Sequence, residues 1–459
     1  MGSGKDESRL EMPYGLRGGG FHGHSSMRGP SAAIRYNPKM THYKGIRAAL
    51  AGKLSGSGLI HVKGGSPVAR NGDVEYPFRQ SSDLLYLTGV EEPGCRLLID
   101  PESRREVLFV PRIDNHHRVW LGHVPSPEEA RGLFGVDRVM YADQFKRFVG
   151  RRKIAPQARV RDALDEMRAC KTEGELSLMR RASAVSGAAH VAVMAAARPG
   201  MREYQVQALF DSECLTAGMK HLAYPSIVAA GANAAVLHYH RNDSPIRNGD
   251  LLLVDAGAEL KGYAADITRT FPANGRFTRR QRDVYSIVLE AQKSCIERAR
   301  SGVVSADLHI HSMRVIAEGL KSLGILRGAT DGLVENGAVR LFYPHGLTHM
   351  LGLDVHDSAG GKRRKMKNPT KIPLRFVARL EPGFVITMEP GIYFIAALLK
   401  DPALRRKHKS SVDFAKAGGF LDFGGIRIED DVVIRAGGPP LNLTSVPKEI
   451  SDVEAACAR

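Results

Sequence analysis

Twenty residues, Leu251–Thr270 (LLLVDAGAELKGYAADITRT), hold the first pair of groups able to do chemistry. Two apolar runs flank Glu259-Leu260-Lys261-Gly262, and Gly262 has the conformational freedom that a tight hairpin needs. The midpoint between Asp255 and Asp266 falls between Leu260 and Lys261, so the two carboxylates are expected to face each other directly across the hairpin. Directly opposed residues of an antiparallel pair have Cβ atoms about 4.5–5.5 Å apart, and like charges there repel unless positive charge lies between them. One or two divalent cations answer that economically. An exposed Asp beside a turn Asp is the plain alternative on this segment alone.

His345, His349 and His356 fall within twelve residues among glycines and apolar side chains (HGLTHMLGLDVHD). A lone histidine is more often a satisfied structural residue than a ligand, but three so close point towards a site. Glu389 ends an apolar run in Met388-Glu389-Pro390-Gly391, and Glu429 sits inside another, GGIRIEDDVVIR. In strand period Arg427, Glu429 and Asp431 share one face, while Ile426, Ile428 and Asp430 take the other. Read singly, Glu429 would pass as a surface charge. Four carboxylates and one imidazole make a hard, oxygen-rich donor set, suited to two ions such as manganese rather than to a thiolate-held zinc. Two such ions polarise a carbonyl and generate a nucleophile from water, so hydrolysis is the expected chemistry.

The elements that must position these groups are legible from periodicity. From about 40 to 165, helix-like stretches alternate with short apolar runs such as Leu97–Ile99 and Val107–Val110, which reads as a compact α/β domain. Residues 155–170 are polar and helical in period, a linking element. Glu173–Ala197 places Leu176, Met179, Ala182, Val185, Ala189 and Met194 at intervals of three and four, a long amphipathic helix closed by Arg198-Pro199-Gly200. Beyond it, helices are predicted at 204–217, 281–300 and 306–323, and strands at 226–228, 251–254, 264–270, 385–388 and 426–434. Antiparallel strands flanked by helices make the second half α+β.

At 459 residues two domains are the default. Hydrophobic residues at 43% and charged residues at 25% exclude fibrous and wholly disordered classes. No apolar run reaches membrane-spanning length, and no signal segment or lipid anchor is expected at the N-terminus. Residues 1–38, with His22 and His24, read as a flexible tail carrying no chemistry. The five cysteines are scattered, with no CxxC pair, which fits reduced thiols in a cytoplasmic protein. Much of the net charge of +17 sits in 362–371 and 400–409, runs with few aromatics. They read as solvated loops, and nucleic acid is not an expected partner.

The blocks VLHYHRNDSPIRNGDLLLVDAGAELKGYAADITRTFP, HGLTHMLGLDVHD, LEPGFVITMEPGIY and GGIRIEDDVVI, in that order, resemble the pita-bread metallopeptidases, specifically aminopeptidase P. YPFRQSSDLLYLTGVEEPG resembles that family's N-terminal module. The resemblance implies an aminopeptidase P N-terminal domain over 39–165 and a pita-bread catalytic domain over 170–445. It implies that Asp255 holds one metal, that Asp266 and Glu429 bridge both, and that His349 and Glu389 complete the other. A bridging hydroxide would be the nucleophile and Glu389 the general base. His238 and His356 would bind substrate and stabilise the tetrahedral adduct, and His345 would line the proline pocket. Arg427 would orient Asp266 or Glu429, and Trp120 would close a neighbouring subunit's site in a dimer or tetramer. The substrates implied are short peptides with proline second. The sequence departs from the family in two longer segments, 358–380 and 396–419, that would border the cleft. Prolidase, an Xaa-Pro dipeptidase, uses the same five ligands and stays open as an alternative. So does a pita-bread module that binds without catalysing.

Overall fold

The computed structural model describes residues 40–122, 125–370 and 372–458. The expected tail over 1–38, with His22 and His24, lies outside the described residues.

After helix α1 (Met40–Lys53), four strands form one sheet in spatial order β1 (Ile60–Lys63), β2 (Arg96–Ile99), β3 (Glu106–Val110), β4 (Arg138–Tyr141). The first three are antiparallel and β4 runs parallel to β3. All five residues of β3 are buried, which is why Val107–Val110 read as an apolar run rather than an alternation, while buried Glu106 pairs with Arg47. Helix α2 (Ser82–Thr88) packs on this sheet, and α3 (Gln157–Ala169) leads out of it.

Helix α4 (Glu173–Ala196) starts at a capping box. The Thr172 hydroxyl accepts from the Glu175 amide at 3.4 Å, and the Glu175 carboxylate accepts from the Thr172 amide at 2.9 Å. Its predicted apolar positions Leu176, Met179, Ala182, Ala189 and Met194 are buried. With α5 (Glu203–Thr216), α6 (Arg279–Arg298) and α7 (Ser305–Ser322), it covers the antiparallel strands β5 (Ile227–Ala230), β6 (Leu251–Asp255) and β7 (Thr268–Pro272). Further on, β8 (Val385–Met388) pairs with β11 (Asp430–Val433), and β9 (Gly391–Tyr393) pairs with β10 (Gly425–Arg427). The α+β class is as expected.

The hairpin register differs from the expected one. Leu260 pairs with Tyr263 and Asp255 with Thr268, so the midpoint lies between Lys261 and Gly262, one position later. The cause is the turn: Lys261 (φ 53°) and Gly262 (φ 83°) are the two left-handed residues of a two-residue loop. Asp255 therefore faces Thr268, and Asp266 falls opposite Gly257, between the bonds Ala256 N to Ile267 O and Ala265 N to Ala258 O. The two carboxylates are diagonal neighbours on one face, not directly opposed.

Two predicted strands are also interrupted. The run 264–270 breaks around Asp266, and 426–434 breaks at Ile428-Glu429, its halves joining different sheets. Glu389 likewise sits between β8 and β9, while Asp255 is the last residue of β6. Each carboxylate thus stands where a strand ends or bends, which frees it from the strand's alternation and lets all four turn towards one point. A bridge from Glu429 N to Thr268 O, at 3.0 Å, joins the two strand systems there.

The largest apolar cluster lies between the four helices and β5–β7. A second runs from the first sheet through Leu84 and Leu97 into Leu351, Leu353 and Val385. Burying a Leu or Val side chain contributes about 1.5–3 kcal/mol. This second cluster therefore fastens the N-terminal sheet to the segment 351–358 that carries His356.

Candidate metal centre and active site

The ligand atoms of Asp266, His349 and Glu429 lie within 4.8 Å of one another and are buried. His349 Nε2 is 3.4 Å from Asp266 Oδ2 and 3.5 Å from Glu389 Oε1. The other ring nitrogen, Nδ1, lies 3.0 Å from the Met350 carbonyl, a contact that turns Nε2 towards the carboxylates. The backbone of His349 is fixed in turn: its amide donates to Thr387 Oγ1 and its carbonyl accepts from Thr387 N.

Arg427 is fully enclosed and forks across the site. Its Nη2 donates to Asp255 Oδ2 at 2.6 Å, Nη1 to the Tyr393 hydroxyl at 2.9 Å, and Nε to Thr268 Oγ1 at 3.1 Å. Thr268 in turn donates to Glu429 Oε2 at 2.6 Å. Arg427 was expected to orient Asp266 or Glu429 directly; instead it holds Asp255, and it reaches Glu429 only through the Thr268 hydroxyl. The Arg427 backbone is pinned by the Thr270 hydroxyl, which accepts from its amide and donates to its carbonyl, on the strand β7 whose first residue, Thr268, faces Asp255. On the other face of β11, Asp430 pairs with Arg269 at 2.7 Å, while Asp431 Oδ2 accepts from the Asp266 amide at 3.1 Å.

Burial dominates the electrostatics. It pushes Glu389 up to about 7 against the pull of His349 and Arg427, and it raises Asp255 against Arg427. Glu429 is driven well above the usual range by burial and by its carboxylate neighbours. Burial acts the same way on Asp266, but the adjoining His349 outweighs it and holds that carboxyl low. His356 is lowered to about 4 by burial, His349 and Arg375; His238 is lowered by burial and the same arginine. His345 falls to about 3 through burial and Arg427. These three imidazoles are neutral at pH 7 and act as hydrogen-bonding groups.

The donor set fits two divalent cations. Asp255 Oδ1 is buried with no hydrogen-bond partner. Arg427 and His349 can offset two of the four negative charges, and carboxylates packed this closely call for more. Together these groups can bind a peptide carbonyl, activate a water and move its proton.

Asp255, Asp266, His349, Glu389 and Glu429 line one cavity of about 630 Å³, together with His238, His345, His356 and Arg427. His345 Nε2 lies 2.9 Å from the Tyr393 hydroxyl, and its ring packs edge-on against Tyr343. Trp120 does not line this cavity; it stands on the helix Asn115–Leu121, 75% exposed. Three contributors escaped the sequence reading: Tyr224 and Arg375, which line the cavity, and Tyr393, whose hydroxyl meets Arg427 and His345 behind it. Arg375 belongs to the segment 358–380, and nothing in that basic stretch marked one cation as turning inward. The second long segment, 396–419, contributes nothing to this cavity among the described residues. With Pro369 and Ile372 it walls a separate one of about 950 Å³.

Residues 177–436 match metallopeptidase family M24, and residues 43–160 match the aminopeptidase P N-terminal domain. A probable Xaa-Pro aminopeptidase of Metarhizium acridum is 34% identical over 89% of this chain and 86% of its own. An Xaa-Pro dipeptidase of Homo sapiens is 35% identical over 87% and 88% respectively. Among solved structures, zinc-substituted aminopeptidase P of E. coli in complex with product superposes with a TM-score of 0.79 at 32% identity, covering 92% of this chain and 99% of that one. Proline aminopeptidase P II of Yersinia pestis gives 0.79 at 34%, covering 91% and 99%.

Proposed function

Because this chain belongs to metallopeptidase family M24, joined to an aminopeptidase P N-terminal domain, we propose that it is an Xaa-Pro aminopeptidase, a hydrolase releasing the N-terminal residue from short peptides with proline second. One observation carries the reading: four carboxylates and an imidazole, drawn from stretches 174 residues apart (255 to 429), converge on one buried cavity.

Asp255, Asp266, His349, Glu389 and Glu429 would hold two divalent metal ions, which supply Lewis acidity towards the scissile carbonyl and towards water. The chain's own groups do the rest. Arg427 fixes the Asp255 carboxylate and, through Thr268, that of Glu429. Glu389, raised to about 7 before any cation is bound, is suited to take a proton and return it to the departing proline nitrogen. Neutral His238 and His356 donate to the substrate carbonyl and to the oxyanion that forms from it. His345, held between Tyr343 and Tyr393, gives the proline ring an aromatic wall.

The oxygen-rich donor set supports manganese(II) as the metal. Unpaired thiols at all five cysteines support a cytoplasmic location. The exposed Trp120 beside exposed Val119 supports a homo-oligomer, dimer or tetramer, in which this helix meets a neighbour. The division at 1–38, 39–165 and 170–445 belongs to the same proposal. No helix among the described residues is long and apolar enough to cross a membrane.

A second reading, Xaa-Pro dipeptidase, is favoured by one feature. Arg375 puts a cation in the cavity beside His238 and His356, where the free carboxylate of a dipeptide would find a partner. Incubating the manganese-loaded protein with Gly-Pro and with Arg-Pro-Pro separates the two. Cleavage of the tripeptide supports the aminopeptidase, cleavage of Gly-Pro alone supports the dipeptidase, and cleavage of neither removes both. Asp266→Asn should lower turnover by orders of magnitude in a folded protein.

A further inference from the structure

His356 sits in Leu353-Asp354-Val355-His356-Asp357-Ser358, a segment with no regular strand or helix of its own. What holds it is a buried cationic pair from the link between the two halves of the chain. Arg168, at the end of α3 and 6% exposed, donates from Nη2 to Asp354 Oδ2 at 2.6 Å and to Asp357 Oδ1 at 2.6 Å. Its Nη1 donates to Asp83 Oδ1 on α2 at 2.9 Å. Lys171 Nζ stands 3.1 Å from Asp357 Oδ2, and both side chains are 1% exposed. From the N-terminal side, Ser82 donates to Asp354 Oδ1 at 2.5 Å, and Arg79 donates to the Leu353 carbonyl at 2.5 Å.

We propose that Arg168 is a positioning residue for His356: its guanidinium clamps Asp354 and Asp357, on either side of the histidine, so that the imidazole is presented to the metal centre. One guanidinium thus ties the residues on either side of the histidine: Asp354, which borders the same cavity, and Asp357, which is buried against Arg168 and Lys171. In the segment so fixed the His356 ring lines the cavity and meets the His349 ring edge-on at 4.5 Å between centroids and 77° between planes. Burying a guanidinium and an ammonium against three carboxylates costs much of what the pairing returns. What such an arrangement secures is geometry, because the planar fork of an arginine fixes two acceptors at once, which a lysine cannot do. Through Ser82, Asp83 and Arg79, the N-terminal half thereby reaches the reacting centre without touching substrate.

The inference rests on the proposed peptidase activity and on His356 acting in it. Its test is a double-mutant cycle on manganese-loaded full-length protein, with Arg-Pro-Pro and Gly-Pro as substrates, kcat and KM read separately, and bound manganese measured for each variant. Displacement of a reacting group by about 1 Å costs about 100-fold. Arg168→Gln should therefore lower kcat by about 10- to 100-fold with KM and bound manganese nearly unchanged, while in a His356→Ala background the same change should have almost no effect. Unchanged kcat in folded Arg168→Gln, or an equal loss in both backgrounds, overturns the clamp. If Arg168→Gln does not fold, Ser82→Ala carries the same cycle, with a few-fold loss confined to the His356 background as the supporting result. A wild type that cleaves neither peptide sinks the functional reading and the clamp with it, whereas an active wild type with an indifferent clamp variant sinks the clamp alone.

Discussion

Gly257 is the residue whose replacement tests the metal centre most cleanly, because it touches no ligand with a side chain. It lies opposite Asp266 in the shifted hairpin, and a Cβ built on it would stand 1.9 Å from the Ala265 carbonyl oxygen and 2.7 Å from its carbon. Restoring even a 3.0 Å contact requires 1.1 Å of movement (3.0 less 1.9), and the obstacle is backbone rather than a flexible side chain. The movement must be taken up next to Asp266, whereas ligand distances in a working site hold to about 0.2 Å. Gly257→Ala should therefore destabilise the fold by about 1–3 kcal/mol through overpacking. It should also weaken manganese binding and lower turnover of Arg-Pro-Pro by about 100-fold or more. Titration calorimetry with manganese, urea unfolding and steady-state kinetics read the three effects separately. Gly132→Ala is the control: it lies in the exposed helix Pro127–Phe134 with nothing within 4 Å of the added carbon. That change should stabilise slightly, by about 0.5–1 kcal/mol, with activity intact. Wild-type manganese affinity and turnover in Gly257→Ala would refute both the register and the placement of Asp266.

Glu203 accepts from Ala230 N, Asn233 Nδ2, Tyr239 Oη and Ser244 N at 2.8–2.9 Å, binding together the two ends of the loop that carries His238. Glu203→Ala removes an acceptor shared by four donors, of which Asn233 Nδ2 and Tyr239 Oη keep a second partner, and should cost about 2 kcal/mol or more, read as a lower urea midpoint. His190, wholly buried with Nε2 3.0 Å from the Ala256 carbonyl, is lowered from 6.5 to about 4, burial being the main cause. A histidine depressed on folding contributes stability that is complete above 6.5 and drains away as pH falls towards 4. Between pH 7 and pH 5 the difference in unfolding free energy between wild type and His190→Gln should narrow by about 2 kcal/mol. A difference that stays constant with pH would contradict the neutral imidazole. Chelation by EDTA should abolish hydrolysis and lower the melting temperature, with manganese restoring both. Retained activity after complete chelation would remove the metal-dependent mechanism.

The residues that meet in the cavity were legible because they sit in locally recognisable surroundings: Asp255 at the end of an apolar run, the histidines among glycines, Glu389 before Pro-Gly. Long helices were legible because twenty-odd residues of period 3.6 leave little ambiguity, and Glu173–Ala196 ended one residue from its predicted stop. The hairpin register was not, since it is set by which two residues accept a left-handed backbone, and Lys261 gives no compositional sign that it will. The breaks at Asp266 and Glu429 were equally silent, because a strand interrupted to turn a carboxylate keeps its β-type sequence on both sides. Arg375 and Arg168 were hidden for another reason. A cation in a basic stretch and a cation on a polar helix look like solvated charges until tertiary structure supplies their partners.

The proposed ligands come in order along the chain, Asp255 and Asp266 early, His349 and Glu389 later, Glu429 last. Glu429 also bonds the backbone of Thr268, so closing that seam and completing the cage are one event. With Glu429 as a ligand, the nascent polypeptide would remain inert until the segment bearing it has emerged and folded back onto strands made long before. Hydrolytic competence would thus be withheld from unfinished copies, and a proteolytic nick that freed this last segment would silence a finished one.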